Sequence, residues 1–388
     1  MQRDRDIVVF ANDWATDPTS KHHILTHFAR TNRVLWIEAA GMRRPNLASG
    51  QDLSRLIAKA RKFVLPARRV LPSLYAYSPP TIPLPGSAIA RGANTMLYRW
   101  SIGRELTRLG MSARPLLWVY GPHVAPLIRD LPRSGLVYHC VDKWSAFEGY
   151  DAEFMERCEA EICARADVVL ASAEDLAERC RRYASNVHYV PHGVDHAHFA
   201  QALDAGPLPD DLAAIPGPRI GFFGLIHEWV DIDLIGRLAD VLPYHFVVIG
   251  ASNQDLSALL ARPNVHVLGR KPFATLPAYS RGFDAAIVPF RLTELTVSVN
   301  PIKLREYAAA GLPVVSTGLP EVLKCRDIVR IADGFDDWCR ELTAAVAEGA
   351  GGDWRRAQSA RVAGEDWSAV AERIAGLIEQ SPAARSAA

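Results

Sequence analysis

The chain has 388 residues, of which 49% are hydrophobic, 22% charged and 9% aromatic. That composition excludes disorder, collagen and coiled coil, and the length suits two domains of roughly 100–200 residues each. The formal net charge is only +1, yet residues 1–150 carry +11 and residues 151–388 carry −10. A division of this kind points to an anionic surface or ligand for the basic half, or to chance segregation between two domains.

Met1 to Asp6 is charged and runs straight into an apolar strand, so no secretory signal is read there. No apolar run reaches the roughly 18 residues that span a bilayer. The longest, Pro115 to Ile128, holds His123 and three prolines. A soluble or peripheral protein is expected. Short β-branched runs at Ile7 to Phe10, Val34 to Ile37, Leu116 to Tyr120, Leu136 to Cys140 and Val168 to Ala171 alternate with amphipathic stretches, the pattern of β-α units on a parallel sheet.

Between them, Leu53 to Leu71 carries six basic residues, no acid and many apolar side chains. Such a stretch suits an anionic membrane surface, and equally a solvated helix with one buried face. The basic series continues through Arg91, Arg99, Arg104, Arg108 and Arg114. Nucleic acid is not an expected partner, because no binding module or interleaved aromatic pattern accompanies these charges. The six cysteines form no Cys-x-x-Cys pair, which reads as reduced thiols in a cytosol, and Cys158 with Cys163 reads as two buried thiols of one helix before it reads as a metal site.

A Pro-, Gly- and acid-rich stretch at 203–218 is the expected linker. A second strand series follows at Arg219 to Gly224, His245 to Gly250, Val265 to Leu268, Ala285 to Phe290, Pro313 to Ser316 and Ile328 to Ile331. The expectation is two tandem Rossmann-like, doubly wound α/β domains, 1–202 and 219–365, with a helix and tail at 366–388. Ligands of such sheets bind at the carboxyl ends of the strands, so two facing sheets would leave a cleft between them.

The densest motif runs from Ser298 to Thr317. Asn300 suits an N-cap and Pro301 the first helical position, with the helix ending at Gly311. Backbone N–H groups at a helix start attract phosphate, and Lys303 and Glu306 share one face. A cation beside a diphosphate, followed by a carboxylate for two ribose hydroxyls, is what holding a nucleotide-sugar requires. An ordinary capped surface helix with a Lys/Glu pair reads the same.

Asn300-Pro-x-Lys-x-x-Glu306-Tyr-x-Ala-x-Gly311-x-Pro-Val-Val-Ser-Thr resembles the donor-binding segment of group 1 glycosyltransferases of GT-B fold. Asn264 to Tyr279, which includes Arg270, and Phe283 to Phe290 are similar to that family's stretch around the base-binding loop. Val190-Pro-His-Gly-Val-Asp195 with Phe199 resembles its passage out of the first domain, and Ile220 to Gly224 its first strand in the second. The resemblance covers roughly 135–380. It implies that Glu306 binds the nucleotide ribose and Lys303 the diphosphate, with Gly224, Arg270, Asn300 and Pro301 on the donor side. Two positions depart from the pattern. Ser298 stands where the family's first glutamate falls, and His227-Glu-Trp-Val-Asp231, without the usual basic residue, follows Gly224.

Phe10-Ala-Asn-Asp13-Trp14 and Leu136-Val-Tyr-His-Cys-Val-Asp142-Lys-Trp-Ser145 are similar to segments of xanthan glucuronosyltransferases and teichuronic acid biosynthesis glycosyltransferases. In the former, the aspartate matching Asp142 is the proposed base of an inverting transfer. Asp142 lies just past a strand's carboxyl end, where such a site belongs, and where a loop acid would also sit. Asp13 reads as an acceptor-side residue or a turn former. Asp231 and Asp233 have the spacing of a metal pair, and also of acids that open a helix. No metal or other cofactor is expected.

The expected activity is transfer of a sugar from a nucleoside diphosphate donor, a UDP-sugar for preference, to a sugar or lipid-linked sugar in polysaccharide, exopolysaccharide or glycolipid assembly. The setting would be the cytoplasm or the inner membrane face. The alternatives are a nucleotide-sugar epimerase of the same fold and a non-catalytic partner subunit. A nicotinamide dehydrogenase is disfavoured, because Gly221-x-x-Gly224 is not Gly-x-Gly-x-x-Gly.

Overall fold

Apolar β-branched runs flanked by turn residues form the strands of both halves, as their burial on both faces requires. The computed structural model describes residues 5–38, 65–82, 88–349 and 351–381. The chain divides into two compact units, Met1–Pro191 with Ala371–Ala388, and His192–Val370.

The first unit holds β1 (Asp6–Ala11), β2 (Arg33–Glu38), β3 (Arg68–Leu71), β4 (Leu74–Tyr77), β5 (Leu116–Val119), β6 (Gly135–Cys140), β7 (Val168–Ala171) and β8 (Val187–Tyr189). Their order is β3-β4-β2-β1-β5-β6-β7-β8. Neighbours are parallel, with Ile7 opposite both Val34 and Leu116, except for the antiparallel edge strand β3. The chain builds outward from β1 through β2 and β4, then resumes on β1's other side with β5. The carboxyl ends of β1 and β5 are therefore this sheet's switch point. The helices α1 (Ser20–Phe28), α2 (Ala88–Arg108), α3 (Ala152–Arg165) and α4 (Glu174–Arg181) accompany the sheet.

Val8, Phe10, Leu117, Tyr138, Ile102 and Ile162 meet in one core, joined by Cys158 and Cys163 of α3, and all six cysteines are free thiols. Of the basic stretch Leu53 to Leu71, residues 53–64 lie outside the described residues. Its end is not helical. Arg68–Leu71 is the edge strand, where exposed arginines discourage further strand pairing, and Arg68 pairs with Glu38 at 2.8 Å.

The second unit is an all-parallel sheet of β9 (Arg219–Phe223), β10 (His245–Ile249), β11 (Val265–Gly269), β12 (Ala285–Val288), β13 (Val314–Thr317) and β14 (Arg330–Ala332), ordered β11-β10-β9-β12-β13-β14. Its switch point lies between β9 and β12. The longer helices here are α5 (Ile232–Val241), α6 (Ile302–Ala309), α7 (Phe335–Glu348) and α8 (Gly352–Ala360).

The structure divides the chain earlier than the composition of 203–218 suggests. Phe199, Ala202, Leu212 and Ile215 belong to the core of the second unit, so the Pro-rich stretch is one of its surface loops. The passage between units falls at Pro191 and His192. The last helix, α9 (Trp367–Gln380), is not a free tail. Trp367 packs on His192 with ring centroids 5.9 Å apart, while Arg373 donates to the Tyr189 carbonyl at 2.8 Å.

Candidate functional site

At the end of β9 the backbone turns through Gly224 with φ +146°, a conformation that L side chains rarely adopt. A Cβ there would lie 1.8 Å from Lys303 Cε and 2.7 Å from its Nζ. Gly250, just past β10, has φ +156°, and a Cβ there would meet the Gly224 carbonyl at 1.7 Å. Two glycines thus bring the backbone of neighbouring strand ends together at the switch point, with the Lys303 ammonium laid over the first. Tyr307 fixes α6 in this place, because its hydroxyl accepts the Phe223 N–H at 2.8 Å.

One turn along α6 from Lys303, Glu306 is mostly buried. Burial pushes its carboxyl up to about 7, with Lys303 pulling it down and Asp195 pushing it further up. Asp195 accepts the His198 N–H at 3.1 Å and so starts the helix His196–Phe199. A carboxylate held at high energy, one turn from a lysine at a helix start, is equipped to accept hydroxyls and meet an anion.

Asn300 does not cap α6. The helix begins at Ile302, Pro301 occupies the cap position, and no side chain caps it. The Asn300 carboxamide is instead buried, accepting from Arg305 Nη1 at 2.9 Å and facing Glu321 Oε2 at 3.4 Å, with Arg305 also paired to Glu365. An interior arginine outcompetes the helix end for this side chain. Arg270 is exposed immediately beyond β11. Ser298, in the position of the missing acid, is 1% exposed. His227 stacks on Trp229 with centroids 4.4 Å apart.

The Asp231 and Asp233 pair has a structural partner. Asp231 accepts the Leu234 N–H at 3.0 Å at the start of α5, and Arg291 Nη2 lies 2.9 Å from Asp233 and 3.6 Å from Asp231. In the first unit Cys140, Glu159 and Cys180 lie within 4.8 Å of one another. There Glu159 already accepts from Arg179 at 3.1 Å and from the Tyr138 hydroxyl at 2.9 Å.

The other chemical cluster lies at the first unit's switch point. Asp142 follows β6, and burial pushes its carboxyl up to about 6, against the pull of Lys21. Lys21 is the second residue of α1, and burial lowers its pKa while Asp142 raises it. Its Nζ donates to Asn12 Oδ1 at 3.3 Å and stands 5.6 Å from the Tyr120 ring centroid and 5.9 Å from that of Trp144. His123 is held near 4, first by burial and then by Lys21. Asp13 shapes the loop beside them, accepting the Ala15 N–H at 2.9 Å. Its neighbour Asn12 is the residue that reaches Lys21. Asn12 and Trp144 lie within the two segments that carry the resemblance, whereas Lys21 and Tyr120 carry no functional signal of their own. They meet because α1 returns its start to the ends of β1 and β5.

Residues 217–348 match the family model described as glycosyl transferases group 1. The match spans the second unit's sheet from β9 to β14. The chain is 30% identical over 229 residues to the Bacillus subtilis (strain 168) protein named as a teichuronic acid biosynthesis glycosyltransferase, TuaH, an alignment that takes in 54% of this chain and 57% of that one. The chain thus spans a little over half the length of that relative. Among solved structures, sucrose-phosphate synthase from Thermosynechococcus elongatus is similar with a TM-score of 0.71 at 14% identity, over 99% of this chain and 100% of that one. Anabaena HepE, solved with UDP and glucose, has a TM-score of 0.65 at 13% identity, over 96% and 99%. The fold is GT-B, two Rossmann-like domains in tandem, as the sequence led us to expect.

Proposed function

We propose that the protein transfers a sugar from a UDP-sugar to a sugar or lipid-linked sugar acceptor, with inversion at the anomeric carbon. The observation that carries this reading is the group of Lys303, Glu306 and Gly224 at the switch point of the group 1 domain. Lys303 and the first N–H groups of α6 would neutralise the departing diphosphate, and Glu306 would accept the ribose hydroxyls. Pro301 has no N–H of its own, so the groups that follow it serve the phosphates. Arg270, exposed just beyond β11, would reach toward the base. UDP is favoured because HepE, of the same fold, was solved with it.

Asp142 would act as the base. With its carboxyl near 6 it is ionised at neutral pH yet basic enough to take the proton of the attacking hydroxyl. Inversion follows from one displacement, in which the acceptor oxygen bonds to the anomeric carbon as the diphosphate leaves. Ser298 supports this route, since a hydroxyl side chain replaces the acid usual in the family. Metal plays no part in this proposal, because Arg291 already balances the Asp231 and Asp233 pair.

A peripheral place on an anionic membrane suits a lipid-linked acceptor. Among the described residues no helix is long and apolar enough to cross a membrane. Helix α2 exposes Met96 and Trp100, at 73% and 61%, on the face that carries Arg99, Arg104 and Arg108. Arg104 stacks over the Trp100 ring at 5.2 Å. Exposed aromatic and sulfur side chains among arginines are suited to a lipid headgroup layer.

The test is a panel of UDP-, GDP- and ADP-sugars, followed for binding and for slow hydrolysis. Selective turnover of a UDP-sugar supports the proposal, and failure of every nucleotide-sugar to bind removes it.

A further inference from the structure

We propose that the switch point of the first unit holds a subsite for an anionic group on the acceptor sugar, with Lys21 as its cation. This rests on the acceptor-side reading of that unit given above.

The observation is a concentration of polar atoms without partners. The Tyr120 hydroxyl, both ring nitrogens of His123 and the indole N–H of Trp144 are shielded from water and make no hydrogen bond among the described residues. Tyr120 itself is 1% exposed. Leaving a buried donor or acceptor unmade costs roughly 1–3 kcal/mol, and native proteins keep few of them. Four such atoms on three residues around one ammonium are explained by a ligand that completes them.

Their chemistry says which ligand. The ammonium, the phenol O–H, the indole N–H and the single N–H of a neutral imidazole are donors, and His123 stays neutral because burial and Lys21 hold it near 4. A donor-rich set around a fixed cation suits a carboxylate or a phosphate. Asp142 does not fill that role, since no direct ion pair joins it to Lys21, although each perturbs the other's ionisation. The hydroxyl to be deprotonated at Asp142 and an acidic group at Lys21 would belong to one sugar. The tilted ring of Trp144, 5.8 Å from Phe147 and 6.2 Å from Tyr150, supplies the apolar wall against which a pyranose rests.

The experiment measures binding of methyl β-D-glucuronide, methyl glucoside 6-phosphate and neutral methyl β-D-glucoside to the full chain by ligand-observed NMR. UDP binding is followed in the same samples. Wild type should bind at least one of the anions about tenfold more tightly than the neutral glucoside, and which of them it prefers separates carboxylate from phosphate. Lys21→Met should abolish the preference, Lys21→Arg should keep most of it, and both should bind UDP as wild type does. Trp144→Phe keeps an aromatic face but removes the indole N–H together with the second ring, and should weaken the anion more than the neutral glucoside, which provides a second readout if Lys21→Met does not fold. Absence of any anion preference in wild type overturns the subsite, as does a preference that survives Lys21→Met. UDP binding that persists in either case leaves the donor reading standing.

Discussion

Lys303 lies so close over Gly224 that a single added methyl on the glycine would fall 1.8 Å from the lysine's Cε. The two residues are 79 positions apart, and their contact joins the end of β9 to the first turn of α6. Gly224→Ala should therefore fail twice, through strain at φ +146° and through displacement of the ammonium. We expect UDP affinity to fall at least tenfold in titration calorimetry, with roughly 1–3 kcal/mol of stability lost. Lys303→Met, which fits the same space, should lose the affinity without the stability.

Glu306 gives a stability prediction whose sign runs against the usual carboxylate. Its folded carboxyl is raised from 4.5 to about 7, so between those values the folded chain holds a proton that the unfolded chain releases. Its contribution to stability is present below about pH 4.5 and is lost as pH rises through 7. Glu306→Gln should leave the thermal midpoint near its wild-type value at acid pH and raise it by a few degrees at pH 8. The same variant should bind UDP more weakly, the ordinary exchange of stability for function.

For Asp142 the expected outcome is kinetic. Replacement by Asn should lower transfer by about 10²- to 10⁴-fold while UDP binding is unchanged. In wild type, kcat/KM should fall about tenfold per unit of pH below about 6, as the base becomes protonated. A flat profile from pH 5 to 8 would assign the proton to another group.

Chelation gives a further check. Because Arg291 pairs with Asp233 and lies near Asp231, excess EDTA should leave transfer unchanged. Loss of activity restored by Mg²⁺ or Mn²⁺ would assign those acids, or others, to a metal.

Helix α2 can be tested with vesicles. Met96→Ser with Trp100→Ala should reduce sedimentation with phosphatidylglycerol vesicles severalfold at low salt, without altering UDP binding. Equal binding of wild type to neutral and anionic vesicles would count against the membrane reading.

The alternation of apolar runs and amphipathic stretches exposed both sheets, because parallel strands buried on two faces must be continuously apolar. Lys303 and Glu306 were legible for a related reason, since helical spacing alone puts them on one face. Lys21 was not, because an ordinary lysine near a helix start comes to influence Asp142 only once the 120 residues between them have folded. Asn300 misled because cap preference is local, whereas its choice of Arg305 and Glu321 is tertiary. The loop at 203–218 misled likewise, since proline and glycine mark a turn without saying whether Leu212 and Ile215 anchor it to a core.

The most direct measurement is titration of UDP into the full chain by calorimetry, in parallel with Lys303→Met and Glu306→Gln. Saturable binding at one site, weakened about tenfold or more by each substitution, is the predicted result. Absence of UDP binding, or binding that neither substitution changes, would contradict the assignment of the donor site to the start of α6.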